Sequence, residues 1–279
     1  MDKWNLIVDV ARCTNCSNCI VATQDEVDGN AIPGYSAPGG PGLKTFDVAR
    51  HVRGDGAMVD VHYVPKMCNH CDEAPCLQVA GGVITKRADG IVLIDPVKAK
   101  GRRDLVSVCP YGAIVWNERE NVPQAWFFDA HLLDAGWDKP RAVHSCPSGA
   151  LEARKVTDAA MQDAAATEKL QVLNPERGTK PRVYYKNLEP CLTHFIGGNV
   201  TAQTGGGTEN VEDAAVSLLR AGRVLAETKT NAFGDFKFDG LLPGSGGYTL
   251  QAEHPSFGKA SLQLDGELRR SRDEALILK

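Results

Sequence analysis

Excess charge is the first thing missing. Lys and Arg number 31 against 35 Asp and Glu, a formal net charge of -4 over 279 residues. No polyanion such as nucleic acid is favoured as a partner by that balance. No apolar run approaches the ~20 residues that a membrane-spanning helix needs. The N-terminus, Met1-Asp2-Lys3-Trp4, has no basic segment followed by an apolar one, and no twin arginine. The chain is therefore expected in the cytoplasm, unless a partner that bears a signal exports it. A Ser-His-Asp set, a phosphate-binding glycine loop and a paired-carboxylate motif are also absent, so the chain offers no candidate for acid–base or nucleophilic catalysis. Cysteine stops at Cys191: eight of the nine lie before residue 150. An odd number with two tight C-x2-C loops is a poor disulfide framework. Without an export signal it reads as metal binding.

What is present begins with Cys13-Thr14-Asn15-Cys16-Ser17-Asn18-Cys19. C-x2-C-x2-C lets one loop point three thiolates at one cubane of iron and sulfide. In the longer ferredoxin run a fourth cysteine follows after three intervening residues and serves another cluster; here that slot holds Thr23. The second motif, Cys68-Asn69-His70-Cys71-Asp72-Glu73-Ala74-Pro75-Cys76, again supplies three thiolates, and position 80 is Ala80. Each loop needs a remote fourth ligand. Two candidates precede a proline, as the ferredoxin pattern requires: Cys109-Pro110-Tyr111-Gly112-Ala113 and Cys146-Pro147-Ser148-Gly149-Ala150. They match each other as C-P-x-G-A, an internal repeat that signals a pseudo-twofold domain. The iron–sulfur reading therefore gives two [4Fe–4S] clusters, one on Cys13, Cys16, Cys19 and Cys146, the other on Cys68, Cys71, Cys76 and Cys109. The rival reading is a non-redox scaffold stabilised by two four-thiolate zinc sites. Zinc, however, usually takes two cysteine pairs and not three plus one remote. Cys191 reads as a free thiol. His70 is either an ordinary loop histidine or an N–H donor that tunes a cluster.

The remaining chain divides by composition. Residues 4–10 read as a strand, 18–27 as one or two helical turns, and the Gly/Pro-rich residues 30–43 as a loop, either a surface excursion or a partner contact. Residues 90–95 read as a strand, then Pro96 opens an expected helix to about Ser107, then comes a strand at 114–116. Thr157 is a candidate N-cap for a helix over 157–170. Residues 178–187 are extended, basic and aromatic, and suit a connector or a strap across the cluster domain or a partner. After residue 199, short alternating runs separated by turns predict an all-β sandwich. The expected organisation is α+β: a double ferredoxin-like domain (1–153), a connector (154–198) and a β-sandwich (199–279).

With those residues in place, the cysteine domain resembles the iron–sulfur β subunits of the dimethyl sulfoxide reductase family of molybdopterin enzymes. Within it the chain is most similar to the branch of pyrogallol–phloroglucinol transhydroxylase and anaerobic resorcinol hydroxylase. The stretches Gly90-Ile91-Val92-Leu93-Ile94-Asp95-Pro96, Cys109-Pro110-Tyr111-Gly112, Ala130-His131-Leu132-Leu133-Asp134 and Gly178-Thr179-Lys180-Pro181-Arg182-Val183-Tyr184-Tyr185 carry the likeness. The C-terminal stretch around Phe233-Gly234-Asp235-Phe236 and Leu242-Pro243-Gly244 resembles prealbumin-type, carboxypeptidase-regulatory-like modules. The resemblance implies a large catalytic partner carrying a molybdenum (or tungsten) bis-pterin guanine dinucleotide and acting on a phenolic aromatic. The chain's own role would be electron transfer in a resorcinol hydroxylase-type heterodimer, with a transhydroxylase or a catechol dehydroxylase as the alternative. It also implies a third cluster in the transhydroxylase branch. The slots for that cluster's ligands read Thr23, Trp126, Asp129 and Ala142 in this chain. Its whole ligand set is gone while the other two sets are intact. The expectation is a two-cluster protein whose third position is refilled by side chains, Trp126 foremost.

Overall fold

Strand β1 (Lys3–Asp9), five of whose seven residues are buried, is the centre of the first sheet in a computed structural model that describes residues 1–279. α1 (Asn18–Val27) follows the first cysteine loop. Residues 30–43 form a turn-rich loop, as expected, but one that is tied down. Asn117 donates to the Pro38 carbonyl at 2.8 Å, and Gln124 donates to the Ser36 hydroxyl at 2.6 Å and to the Ala37 carbonyl at 2.8 Å. A two-stranded hairpin of β2 (Phe46–Asp55) and β3 (Met58–Met67) comes next. Sequence periodicity shows no sign of it, because Asp47 to Val52 have no regular apolar alternation.

After α2 (Pro75–Val79), β4 (Ile84–Lys86) pairs antiparallel with β5 (Val92–Ile94). The helix expected from Pro96 to Ser107 does not form. The Asp95 carboxylate accepts from the Val97 and Lys98 amides and closes a turn, and Gly101 sits at φ 79°, where a right-handed helix must stop. Only a 3-10 segment, Arg103–Val108, follows. β6 (Val115–Asn117) and β7 (Val122–Gln124) make a third hairpin. The short helices α3 (Ala130–Asp134) and α4 (Arg141–His144) lead to β8 (Leu151–Val156). α5 (Asp158–Thr167) is capped as expected by the Thr157 hydroxyl, which accepts from the Ala160 amide at 3.2 Å. β9 (Val183–Lys186) then joins β1 in parallel, opposite antiparallel β8, giving the order β8-β1-β9.

The chain splits into two compact units, Met1–Arg50 with Tyr63–Leu188, and His51–His62 with Glu189–Lys279. The stretch 154–198 is thus shared between them and is no body of its own. Its strap, residues 179–186, is committed to the first unit: the Asp72 and Glu73 amides donate to the Lys180 and Thr179 carbonyls, and β9 completes the sheet.

The second unit holds β10 (His194–Thr204), β11 (Gly207–Asn210), β12 (Ala215–Arg220), β13 (Arg223–Lys229), β14 (Asp235–Leu241), β15 (Gly246–His254), β16 (Gly258–Glu267) and β17 (Arg272–Leu278). One four-stranded sheet runs β11-β10-β14 with β17 also on β10; the other runs β13-β12-β15-β16. Ile196, Val200, Phe236, Phe238 and Leu276 of the first meet Val216, Leu218, Leu250 and Leu264 of the second in one core. The two inner faces therefore bury the alternating apolar positions that the sequence shows. At Gly198 a Cβ would lie 1.7 Å from the Glu274 carbonyl oxygen, so β10 and β17 can pair only through glycine there. No helix is long and apolar enough to cross a membrane.

Candidate metal centres

The first cysteine loop is shaped by two left-handed residues, Asn15 at φ 56° and Ser17 at φ 63°, which fold it back so that α1 starts at Asn18. Cys13 ends a 3-10 turn, Cys16 is exposed at the loop tip, and Cys19 is buried in the first turn of α1. Cys146 reaches them from the turn after α4, which packs on α1. The Cys13 and Cys19 thiols are each pushed up by burial and, to a smaller extent, by repulsion from the other cysteines of this group, Cys146 included; Cys19 reaches about 12. The Asn15 and Ile20 amides oppose this by donating to the Cys13 and Cys19 sulfurs.

The second group lies deeper. Cys68 is half-buried and Cys71 buried; desolvation drives the Cys68 thiol far up and pushes Cys71 up to about 11. Cys71, Cys76 and Cys109 all act on Cys68 as like charges. Around them is a pocket walled by Ile84, Val92, Ile94, Ile114, Pro123 and Phe127, with Tyr35 to Ala37 of the 30–43 loop on one side. That loop is thus part of a site wall, a role its composition did not reveal. Sulfur-directed donors converge here too. The amides of His70, Leu77 and Ala113 (3.4 Å) donate to Cys68, Cys76 and Cys109, and the Thr179 hydroxyl donates to Cys71.

The His70 ring makes no hydrogen bond to a cysteine sulfur. Its Nδ1 accepts from the Val92 amide at 3.0 Å, and burial depresses its pKa to about 3, so the ring is neutral with the proton on Nε2. Nε2 has no hydrogen-bond partner, and the ring lies edge-on to Trp126 and Phe128 at 5.7 and 5.3 Å. This histidine therefore packs with the aromatic residues around Trp126.

Thr23, Trp126, Asp129 and Ala142 are all buried. Trp126, 1 % exposed, packs between Phe46 (5.2 Å) and Phe128 (4.9 Å). Its indole N–H donates to Asp129 Oδ1 at 3.0 Å, and the Ala142 amide donates to Asp129 Oδ2 at 3.1 Å. Thr23 returns its hydroxyl to the Cys19 and Ile20 carbonyls. Three of the four substituted slots are therefore joined by hydrogen bonds through one carboxylate. That carboxylate's pKa is raised by burial despite the two donors. Phe128 and Asp129 are both left-handed, at φ 60° and 49°, a strained pair that the two carboxylate bonds hold in place.

The donor sets fit iron–sulfur clusters. Each group is four thiols with amide donors to sulfur and no carboxylate or imidazole among them. As thiolates they would repel, and a bound polynuclear cation relieves that repulsion. A zinc ion at ~2.3 Å from each sulfur needs a tighter tetrahedron than a cubane does. Cys191, in the second unit, is a half-buried free thiol in neither group.

Residues 59–156 match the family model described as a 4Fe-4S dicluster domain. The pyrogallol hydroxytransferase small subunit of Pelobacter acidigallici is 41% identical over 256 residues, 91% of each chain. A tetrathionate reductase subunit of Salmonella typhimurium is 30% identical over 68% of this chain and 74% of its own. A Halobacterium salinarum protein assigned as a dimethyl sulfoxide reductase iron–sulfur subunit is 31% identical over 68% and 80%.

Proposed function

From the premise that this chain belongs to the family of iron–sulfur subunits of molybdopterin oxidoreductases, we propose that it serves a large molybdopterin catalytic subunit acting on a phenolic aromatic. Cys13, Cys16, Cys19 and Cys146 hold one [4Fe–4S] cluster, and Cys68, Cys71, Cys76 and Cys109 hold the other. The observation that carries this is the crossed grouping: three thiols from one loop meet a Cys-Pro thiol from far along the chain, twice. Bound clusters supply one-electron carriers. The chain's residues do the rest. Amides and the Thr179 hydroxyl donate to sulfur and favour the more negative, reduced state, while the apolar wall keeps water from the second site. The all-β unit, read as a prealbumin-type module, carries neither ligand group and serves docking. The complex is cytoplasmic.

A resorcinol hydroxylase-type reaction is the first reading, because the third ligand set is replaced as a whole by Thr23, Trp126, Asp129 and Ala142. Transhydroxylation is the second, favoured by the 41% identity to the Pelobacter subunit. Electron counting separates them. Hydroxylation by water releases two electrons and two protons per substrate, transhydroxylation none, and dehydroxylation consumes both. The purified complex given a phenolic substrate and an oxidised dye should reduce the dye in proportion to product. Product without dye reduction would establish transhydroxylation. This chain alone should turn over nothing; turnover by it would overturn the electron-transfer assignment.

A further inference from the structure

Lys86, the last residue of β4, points its ammonium under the second cysteine loop. Nζ donates to the carbonyls of His70 (2.9 Å), Cys71 (3.0 Å) and Gly90 (2.9 Å), and pairs with Asp72 Oδ1 at 2.9 Å. Three protons meet four acceptors, so no donor is left for water. The Asp72 carboxylate is shared: Arg182, almost fully buried, takes both its oxygens at 2.8 and 2.6 Å. Two cations against one carboxylate leave this trio net positive. Asp158, on the far side of Arg182 at 2.8 Å, is half exposed and is also claimed by Lys3. Glu73 lies on the exposed side, paired with Lys180. The cation next to the first cysteine group, Arg12, is exposed and reaches toward Gly149, so solvent screens it, whereas Lys86 is held beneath its loop and acts on Cys71 and Cys76.

We propose that Lys86 is a positioning residue whose positive charge favours the reduced form of the cluster on Cys68, Cys71, Cys76 and Cys109, and of that cluster alone. The inference rests on the ligand sets proposed above. Adding one electron to a cluster makes the site one charge more negative. A fixed cation a few ångströms below the ligand loop stabilises that state, and the enclosed setting screens it little. Two electrostatically unlike clusters give the relay a built-in direction.

The test is an EPR-monitored redox titration of the purified complex with Lys86→Gln and Lys86→Arg. Glutamine keeps a polar head without the charge; arginine keeps the charge. In the glutamine variant the reduced-to-oxidised ratio of one cluster at fixed potential should fall about tenfold, which for one electron is about 59 mV. The arginine variant should restore it. The affected signal should be the one that Cys71→Ser removes. An unshifted midpoint in the glutamine variant, equal shifts in both clusters, or equal shifts with glutamine and arginine would overturn the proposal. So would loss of half the iron in the glutamine variant alone, which would make Lys86 a brace for the loop. A wild-type complex with no iron–sulfur signal would instead overturn the cluster assignment itself.

Discussion

Trp126→Ala is expected to lower the stability of the first unit by about 3–5 kcal/mol, the range for deleting a fully buried aromatic. The void would open beside Phe46, Phe128 and His70, whose rings contact the indole directly. A second loss adds to it. Asp129 Oδ1 would lose its indole donor, leaving a buried carboxylate held only by the Ala142 amide. Trp137→Ala is the control. That side chain is 42 % exposed and rests on His144 at one edge, so its removal should change stability by no more than about 0.5 kcal/mol. Thermal melting of both variants, followed by near-ultraviolet circular dichroism, distinguishes them. An unchanged midpoint for Trp126→Ala would show that the indole does not fill the third position.

The second large effect concerns the crossed ligand sets. Cys146→Ser and Cys16→Ser should abolish or alter the same EPR signal, although nearly half the chain separates them. Cys109→Ser and Cys71→Ser should affect the other signal. Each substitution replaces a thiolate with a hydroxyl that binds iron poorly, so the targeted signal should fall severalfold or vanish while its neighbour persists. The expectation rests on the packing of α4, just before Cys146, on α1, which carries Cys19, and on the common pocket of Cys68, Cys71, Cys76 and Cys109. If Cys109→Ser and Cys16→Ser removed the same signal, the pairing would be wrong.

The cysteine spacing alone exposed the cluster chemistry, because three thiolates within seven or nine residues admit few other uses. The C-P-x-G-A repeat pointed to the remote ligands for the same reason. One stretch was misread although its own residues decide it, and elements whose shape depends on distant contacts were not legible. The helix expected after Pro96 is defeated locally by Asp95 and Gly101, and a basic, Ala-containing stretch conceals that. The hairpin of β2 and β3 was missed because its base and its tip belong to different units, so no single face carries an apolar period. Its tip is fixed by Arg53, buried among Asp60, Asp239 and the Phe195 ring, the last two far off in sequence. Nothing in the sequence singles out Lys86. Only the fold brings the carbonyls of His70 and Cys71 to it. For the substituted slots, the sequence led to the expectation of a buried Trp126, which is 1 % exposed, but held no hint that Asp129 ties the indole to the Ala142 amide.

The most direct measurement is the iron and acid-labile sulfide content of the complex purified without oxygen, corrected for the catalytic partner's own iron. Two four-thiolate groups predict about eight iron and eight sulfide per copy of this chain, with zinc near zero. A value near twelve would mean that a third cluster persists despite Thr23, Trp126, Asp129 and Ala142. About two zinc ions with no sulfide would contradict the electron-transfer account altogether.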